Sequence, residues 1–237
     1  MPSVAADPRA VDVDDVFHNL IPSRFPPVSV YERIAGGRDE LFYKIEEMTN
    51  PRAREKERLT RGLAPVDQDH PRLRNWNHAP FVYPNPEGSR FFGADRNLVE
   101  LAGDLQTALA IAVEKRETFL GRTKEAATYI EMRQIVRPVR GSCLDVRGLD
   151  IAARETRIQI GKQALAAGLD GILFNPVERP TATAVAVFKP ECLGKPDQAE
   201  HFKFIWNGNR ITVLYRFKED LIYEPDGLGL EETILAA

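Results

Sequence analysis

Residues 201–217, HFKFIWNGNRITVLYRF, alternate apolar and polar side chains on both sides of an Asn-Gly-Asn break. Successive side chains of a strand point to opposite faces, so each run makes a half-buried strand. Asparagine and glycine tolerate the positive φ that a tight reversal needs. The stretch therefore predicts two neighbouring antiparallel strands, and a chain containing them is neither a helical bundle nor a regular βαβ array.

Other segments add to this hairpin. QTALAIAVEKRETFL (106–120) has the spacing of an amphipathic helix, with Ala108, Ile111, Ala112 and Phe119 on one face. YIEMRQIV (129–136) reads as a strand, and IAARETRIQIGKQALAAG (151–168) as a helix ended by glycine. GILF (171–174) and TAVAVF (183–188) are short apolar strands around the turn NPVERP. This order predicts an α+β fold, a mixed or antiparallel sheet with flanking helices. No glycine-rich loop joins a strand to a helix, which removes Rossmann and P-loop architectures.

Residues 1–20 read as a loose N-terminal arm, polar over 1–15, and 21–237 as a single domain. The stretch VFHNLIPSRFPPVSVYERIA is broken by Pro22, Pro26 and Pro27, which fits an extended entry segment. Helices are predicted at 39–49 and 51–62, followed by a long loop at 63–88 carrying Trp76.

A net charge of −3 without a clustered basic surface argues against nucleic acid as a partner. No run approaches the about 18–20 apolar residues of a membrane span, and the acidic start lacks the apolar core of a signal peptide, so a cytoplasmic protein is expected. Cys143 and Cys192 do not form a disulfide framework. His18, His70, His78 and His201 are scattered without ligand spacing, so no metal is expected. Trp76 and Trp206 read as packing anchors.

Four pieces in order resemble the RES domain, the toxin half of bacterial RES–Xre toxin–antitoxin pairs. They are IPSRFPPVSVYERIA; PNPEGSRF followed by QTALA and KRETFL; YIEMR with LDVRGLD; and AAGLDGILFNPVERP with AVAVFKP and FIWNGNRIT. Order and spacing over residues 21–212 carry the resemblance. It implies a fold related to ADP-ribosyltransferase toxins and an activity that cleaves NAD between nicotinamide and ribose, or moves ADP-ribose to a protein. NAD would be a substrate or ligand rather than a tightly held cofactor. The implied partners are an Xre-type helix-turn-helix antitoxin or a second copy of the chain.

In such a site an arginine holds phosphate, a tyrosine packs the nicotinamide, a glutamate stabilises the ribose as positive charge develops on it, and a serine lines the pocket. The arginine falls on Arg90, whose planar fork suits a diphosphate. The tyrosine falls on Glu100 and the glutamate on Ile111. The histidine that often follows on the same helix is Lys115, and the serine is Pro176, with Glu178 where arginine is usual. Isoleucine cannot ionise, and proline has neither a hydroxyl nor a backbone N–H.

Two readings remain open. In one, the chain is a non-catalytic relative that keeps a protein-binding surface and a residual nucleotide pocket around Arg90. In the other it is an active NAD glycohydrolase, phosphorylase or ADP-ribosyltransferase that uses Arg90 with a relocated acid such as Glu100. Glu114 lies about 60° round the helix from Ile111 and is the poorer substitute. Without the resemblance, Arg90 is a structural arginine bridging the PNPEG loop to a core carboxylate, and Ile111 a core residue.

Overall fold

The computed structural model describes residues 8–23, 80–81, 88–218 and 221–232. The helices expected at 39–49 and 51–62, and most of the 63–88 loop with His70, Trp76 and His78, lie outside the described residues.

Eight strands form one mixed sheet: β1 (Arg9–Pro22), β2 (Val99–Ala102), β3 (Thr128–Asp145), β4 (Gly171–Phe174), β5 (Ala184–Val187), β6 (Asp197–Trp206), β7 (Ile211–Arg216) and β8 (Leu221–Tyr223). Their order is β1-β2-β5-β4-β3-β6-β7-β8, and only β3–β4 is parallel. A further pairing of β1 with β3 closes five strands into a ring, from which β6, β7 and β8 extend. The ring encloses side chains from every one of its strands, among them Val13, Phe17, Leu101, Val139, Leu173 and Val185. Arg137 is wholly buried beside Phe17, donates to Asn19 Oδ1 at 3.0 Å, and is brought down to about 9 by burial.

Among the described residues, two helices cover the outside of this sheet: α1 (Leu105–Thr123) and α2 (Arg154–Ala166). One apolar cluster joins Ala108 and Ile111 of α1 and Ile160 and Ala164 of α2 to Ile172, Phe174, Ala184 and Ala186 of β4 and β5. A second joins the opposite flank of α1, through Leu109 and Val113, to Phe202, Phe204, Trp206 and Leu214 of the hairpin. The α+β expectation holds, as do the hairpin and the helix of 106–120. Gly208 carries the reversal at φ +97°, and Trp206 is an anchor whose indole donates to Glu125 O at 3.0 Å.

Three expectations need correction. Most of the arm expected to be loose is β1, paired with β3 from Arg9↔Asp145 to Pro22↔Met132. Its acidic residues Asp12 and Asp14 mask an inward alternation of Val11, Val13 and Phe17. The strand expected to end at 136 runs to Asp145 through Pro138. On that flank β6 pairing has ended and β4 pairing has not begun, so the missing N–H of Pro138 breaks no ladder, and its carbonyl accepts from Gly194 N. Finally, α1 has no single apolar face: 106–113 is buried all round between two clusters, whereas Phe119 is 54% exposed.

Candidate functional site

The face of β2 opposite the ring interior carries Glu100, registered against Ala186 of β5. A strand that hides Val99 and Leu101 inside the ring must send its alternate residue outward, beneath α1. Lys115 is one helical turn beyond Ile111, and its Nζ stands 2.6 Å from Glu100 Oε2. On the other oxygen, Arg90 Nε donates to Glu100 Oε1 at 3.3 Å, while Arg90 Nη2 donates to Glu178 Oε1 at 2.7 Å. The Arg90 guanidinium also lies over the Phe174 ring, 5.3 Å from its centroid. Four residues far apart in the chain thus form one row of alternating charge, Glu178, Arg90, Glu100 and Lys115.

Burial divides the row. The Glu100 side chain is 4% exposed and that of Arg90 11%, whereas Lys115 is 48% exposed and reaches solvent along its stem. Burial alone would push the Glu100 carboxyl up; Lys115 and Arg90 beside it outweigh that and hold it at about 2. Burial likewise opposes the charge on Arg90, and Glu100 and Glu178 overcome it, raising the guanidinium above its ordinary value. The Glu178 Oε2 atom is buried and makes no hydrogen bond.

The main chain of Arg90 is held by α2. Arg157 Nε donates to Arg90 O at 3.2 Å, and a Cβ on Gly161 would stand 2.2 Å from Phe91 O, so only glycine lets the helix approach this closely. Ile111 packs into the apolar cluster with Phe91, Phe92 and Phe174. Glu114 is exposed and accepts from Thr118, away from the row. Of the positions carried over from the resemblance, Arg90, Glu100, Lys115 and Glu178 come together, Ile111 lies in the apolar layer beside them, and Glu114 does not join.

A second network, absent from the sequence reading, begins one residue further along at Arg179. Its Nη1 donates to both carboxylate oxygens of Asp104, at 3.0 and 3.1 Å, and to Thr107 Oγ1. Asp104 is the N-cap of α1 and accepts from Thr107 N at 2.8 Å. From the same centre, Arg179 donates to Leu230 O and Glu231 O, and buried Gln106 Nε2 donates to Leu228 O, Leu230 O and Glu232 O. Residues 228–232 are thereby strapped across the start of α1. The local signal was Asp-Leu-Gln-Thr, a capping sequence, but nothing local links it to Arg179 or to the C-terminal segment.

Cys143 and Cys192 are buried free thiols, and burial pushes them up to about 12 and about 11. No helix among the described residues is long and apolar enough to cross a membrane.

A family model of the RES domain matches residues 69–207. The uncharacterized protein y4oC of Sinorhizobium fredii is 45% identical over 212 residues, which cover 88% of this chain and 90% of that protein. The crystal structure of the M. tuberculosis MbcT–MbcA toxin–antitoxin complex matches at a TM-score of 0.40 and 10% identity, over 80% of this chain and 86% of that one.

Proposed function

The chain belongs to the RES-domain family, and on that premise we propose that it acts by binding rather than by turning over NAD: a toxin-type RES protein with lost catalysis and a retained surface for an Xre-type helix-turn-helix antitoxin. One observation carries this reading. Arg90, the group that would hold a diphosphate, already donates from Nε to Glu100 and from Nη2 to Glu178, and these two carboxylates offset its charge.

The same geometry weighs against a relocated acid. An oxocarbenium-like transition state is stabilised by a carboxylate whose negative potential is free to act on the developing charge. Glu100 is ionised, but Arg90 and Lys115 flank it at 3.3 and 2.6 Å and neutralise that potential. Ile111, where the family glutamate belongs, is part of an apolar layer and offers the ribose nothing.

The test is nicotinamide release from NAD by the purified chain, together with growth and NAD content of bacteria that express it. Neither growth nor NAD is expected to fall. Growth arrest with NAD loss that disappears in Arg90→Ala would overturn the reading. Co-expression with a helix-turn-helix protein encoded in the neighbouring reading frame is expected to yield a complex; failure to form one removes the antitoxin-binding role.

A further inference from the structure

Glu178 and Arg179 are adjacent in the loop between β4 and β5, and they face different duties. Glu178 accepts from Arg90 Nη2, and Arg179 ties the loop to the strap of residues 228–232. The strap also touches the loop directly: a Cβ on Gly229 would stand 3.2 Å from Glu178 O. At its other end the loop is pinned by Asn175 Nδ2 donating to Ala182 O at 2.7 Å. The central part, which carries Glu178, is held from two sides, by the strap and, through Arg179, by Asp104 and Thr107 at the start of α1.

We propose that residues 228–232 are a latch: bound across Gln106 and Arg179, they keep Glu178 on Arg90, and their release lets Glu178 withdraw and turns Arg90 into a receptor for a phosphate-bearing oxyanion. The idea rests on the reading above in one respect, that Arg90 is neutralised at rest. Three observations support it. Both carboxylates bury an Oε2 that makes no hydrogen bond, but that of Glu100 stands 2.6 Å from the Lys115 ammonium, so Glu178 is the less well compensated and its departure relieves a desolvation cost. The position it vacates on Arg90 presents the planar fork that matches phosphate oxygens. The half-exposed ammonium of Lys115, on the far side of Glu100, adds positive charge at the solvent edge.

Linkage makes the coupling reciprocal: whatever takes the strap opens Arg90, and an oxyanion on Arg90 loosens the strap. A partner that captures the C-terminal segment would thereby alter ligand binding without touching the ligand.

The experiment titrates inorganic pyrophosphate and ADP-ribose into the full-length chain and two full-length variants by calorimetry. Gln106→Glu keeps the shape of the amide but sets a carboxylate against the three strap carbonyls. Gly229→Val crowds Glu178 O, from which a Cβ would already stand only 3.2 Å. Amide hydrogen exchange of 228–232 reports release. The expected result is faster exchange in both variants and pyrophosphate binding about tenfold tighter or more than in the native chain, within the usual range of coupling between sites, with the gain removed by adding Arg90→Ala. Equal binding in native and released chains overturns the latch, as does no binding by any released chain. Strap amides that remain protected in both variants overturn it too, because these contacts would then not hold the strap. Nicotinamide release followed in the same samples separates the two ideas: turnover by the native chain defeats the binding-only reading and leaves the latch standing.

Discussion

Two buried polar networks meet at neighbouring residues, and they are built on opposite principles. The row through Glu178, Arg90, Glu100 and Lys115 joins side chain to side chain, and each charge is tolerated because the next one cancels it. The network of Arg179 and Gln106 joins side chain to main chain, with Asp104 its one carboxylate, and holds the carbonyls of a strap whose residues 229–232 are exposed. The first holds charges in balance and the second holds segments in place. Losing a member should therefore strand charge in one case and free chain in the other.

The sharpest break is Arg90→Ala, which leaves Glu178 without a cation and Glu100 with Lys115 alone. A loss of about 3–5 kcal/mol is expected in urea unfolding, the usual cost of removing one partner from a buried ion pair. Replacing all four members of the row with apolar residues of similar volume is expected to cost far less than this single change. A quadruple variant less stable than Arg90→Ala would show that the row is not a self-cancelling unit.

Arg179→Ala comes next, at about 2–3 kcal/mol, from charged hydrogen bonds to Asp104 and to the strap. Its distinguishing sign is faster amide exchange at 228–232, which Arg90→Ala is not expected to produce to the same extent. Asp104→Ala follows, at about 1–2 kcal/mol for a lost N-cap, measured by the same unfolding curves.

Lys115→Ala is expected to be smallest at neutral pH, under about 1 kcal/mol, because half of that side chain is in solvent. Its clearer effect is on acid stability. Glu100 has its folded-state carboxyl lowered from 4.5 to about 2, so its contribution is fully present above 4.5 and is lost as pH falls through the window toward 2. With Lys115 gone, the folded-state value rises and the stabilisation available above 4.5 shrinks. The fall in unfolding midpoint between pH 4.5 and 2 should therefore be shallower in the variant; an unchanged slope would mean that Lys115 does not help to hold Glu100.

The hairpin was legible from period-two alternation because one of its faces is buried against α1 and the other is not. β1 was hidden by the same logic in reverse: its outward positions are strongly acidic, so mean polarity obscured an alternation whose inward members number only a few. The length of β3 was hidden by Pro138, which punctuates most strands but sits here on a flank with no ladder to break. At the site, the resemblance named Arg90, Glu100, Ile111, Lys115 and Glu178 one position at a time, each apparently a loss. What it did not convey is that these side chains meet: two carboxylates and one ammonium settle around one arginine. The local reading of Arg90 as an arginine held by a core carboxylate described that arrangement better. Arg179 and Gln106 escaped because their acceptors lie in the C-terminal segment, joined only by tertiary structure.

The ring closed by β1 against β3 also fixes an order of events during synthesis. β1 leaves the ribosome before β3, so Arg9 must wait for Asp145 and Pro22 for Met132. At about 5–20 residues per second, translation leaves that strand without its partner for roughly 5–30 s. Its alternation of valine and phenylalanine is then an open edge, and the charges of Asp12 and Asp14 that concealed the strand from sequence reading are of the kind that disfavours pairing with other chains.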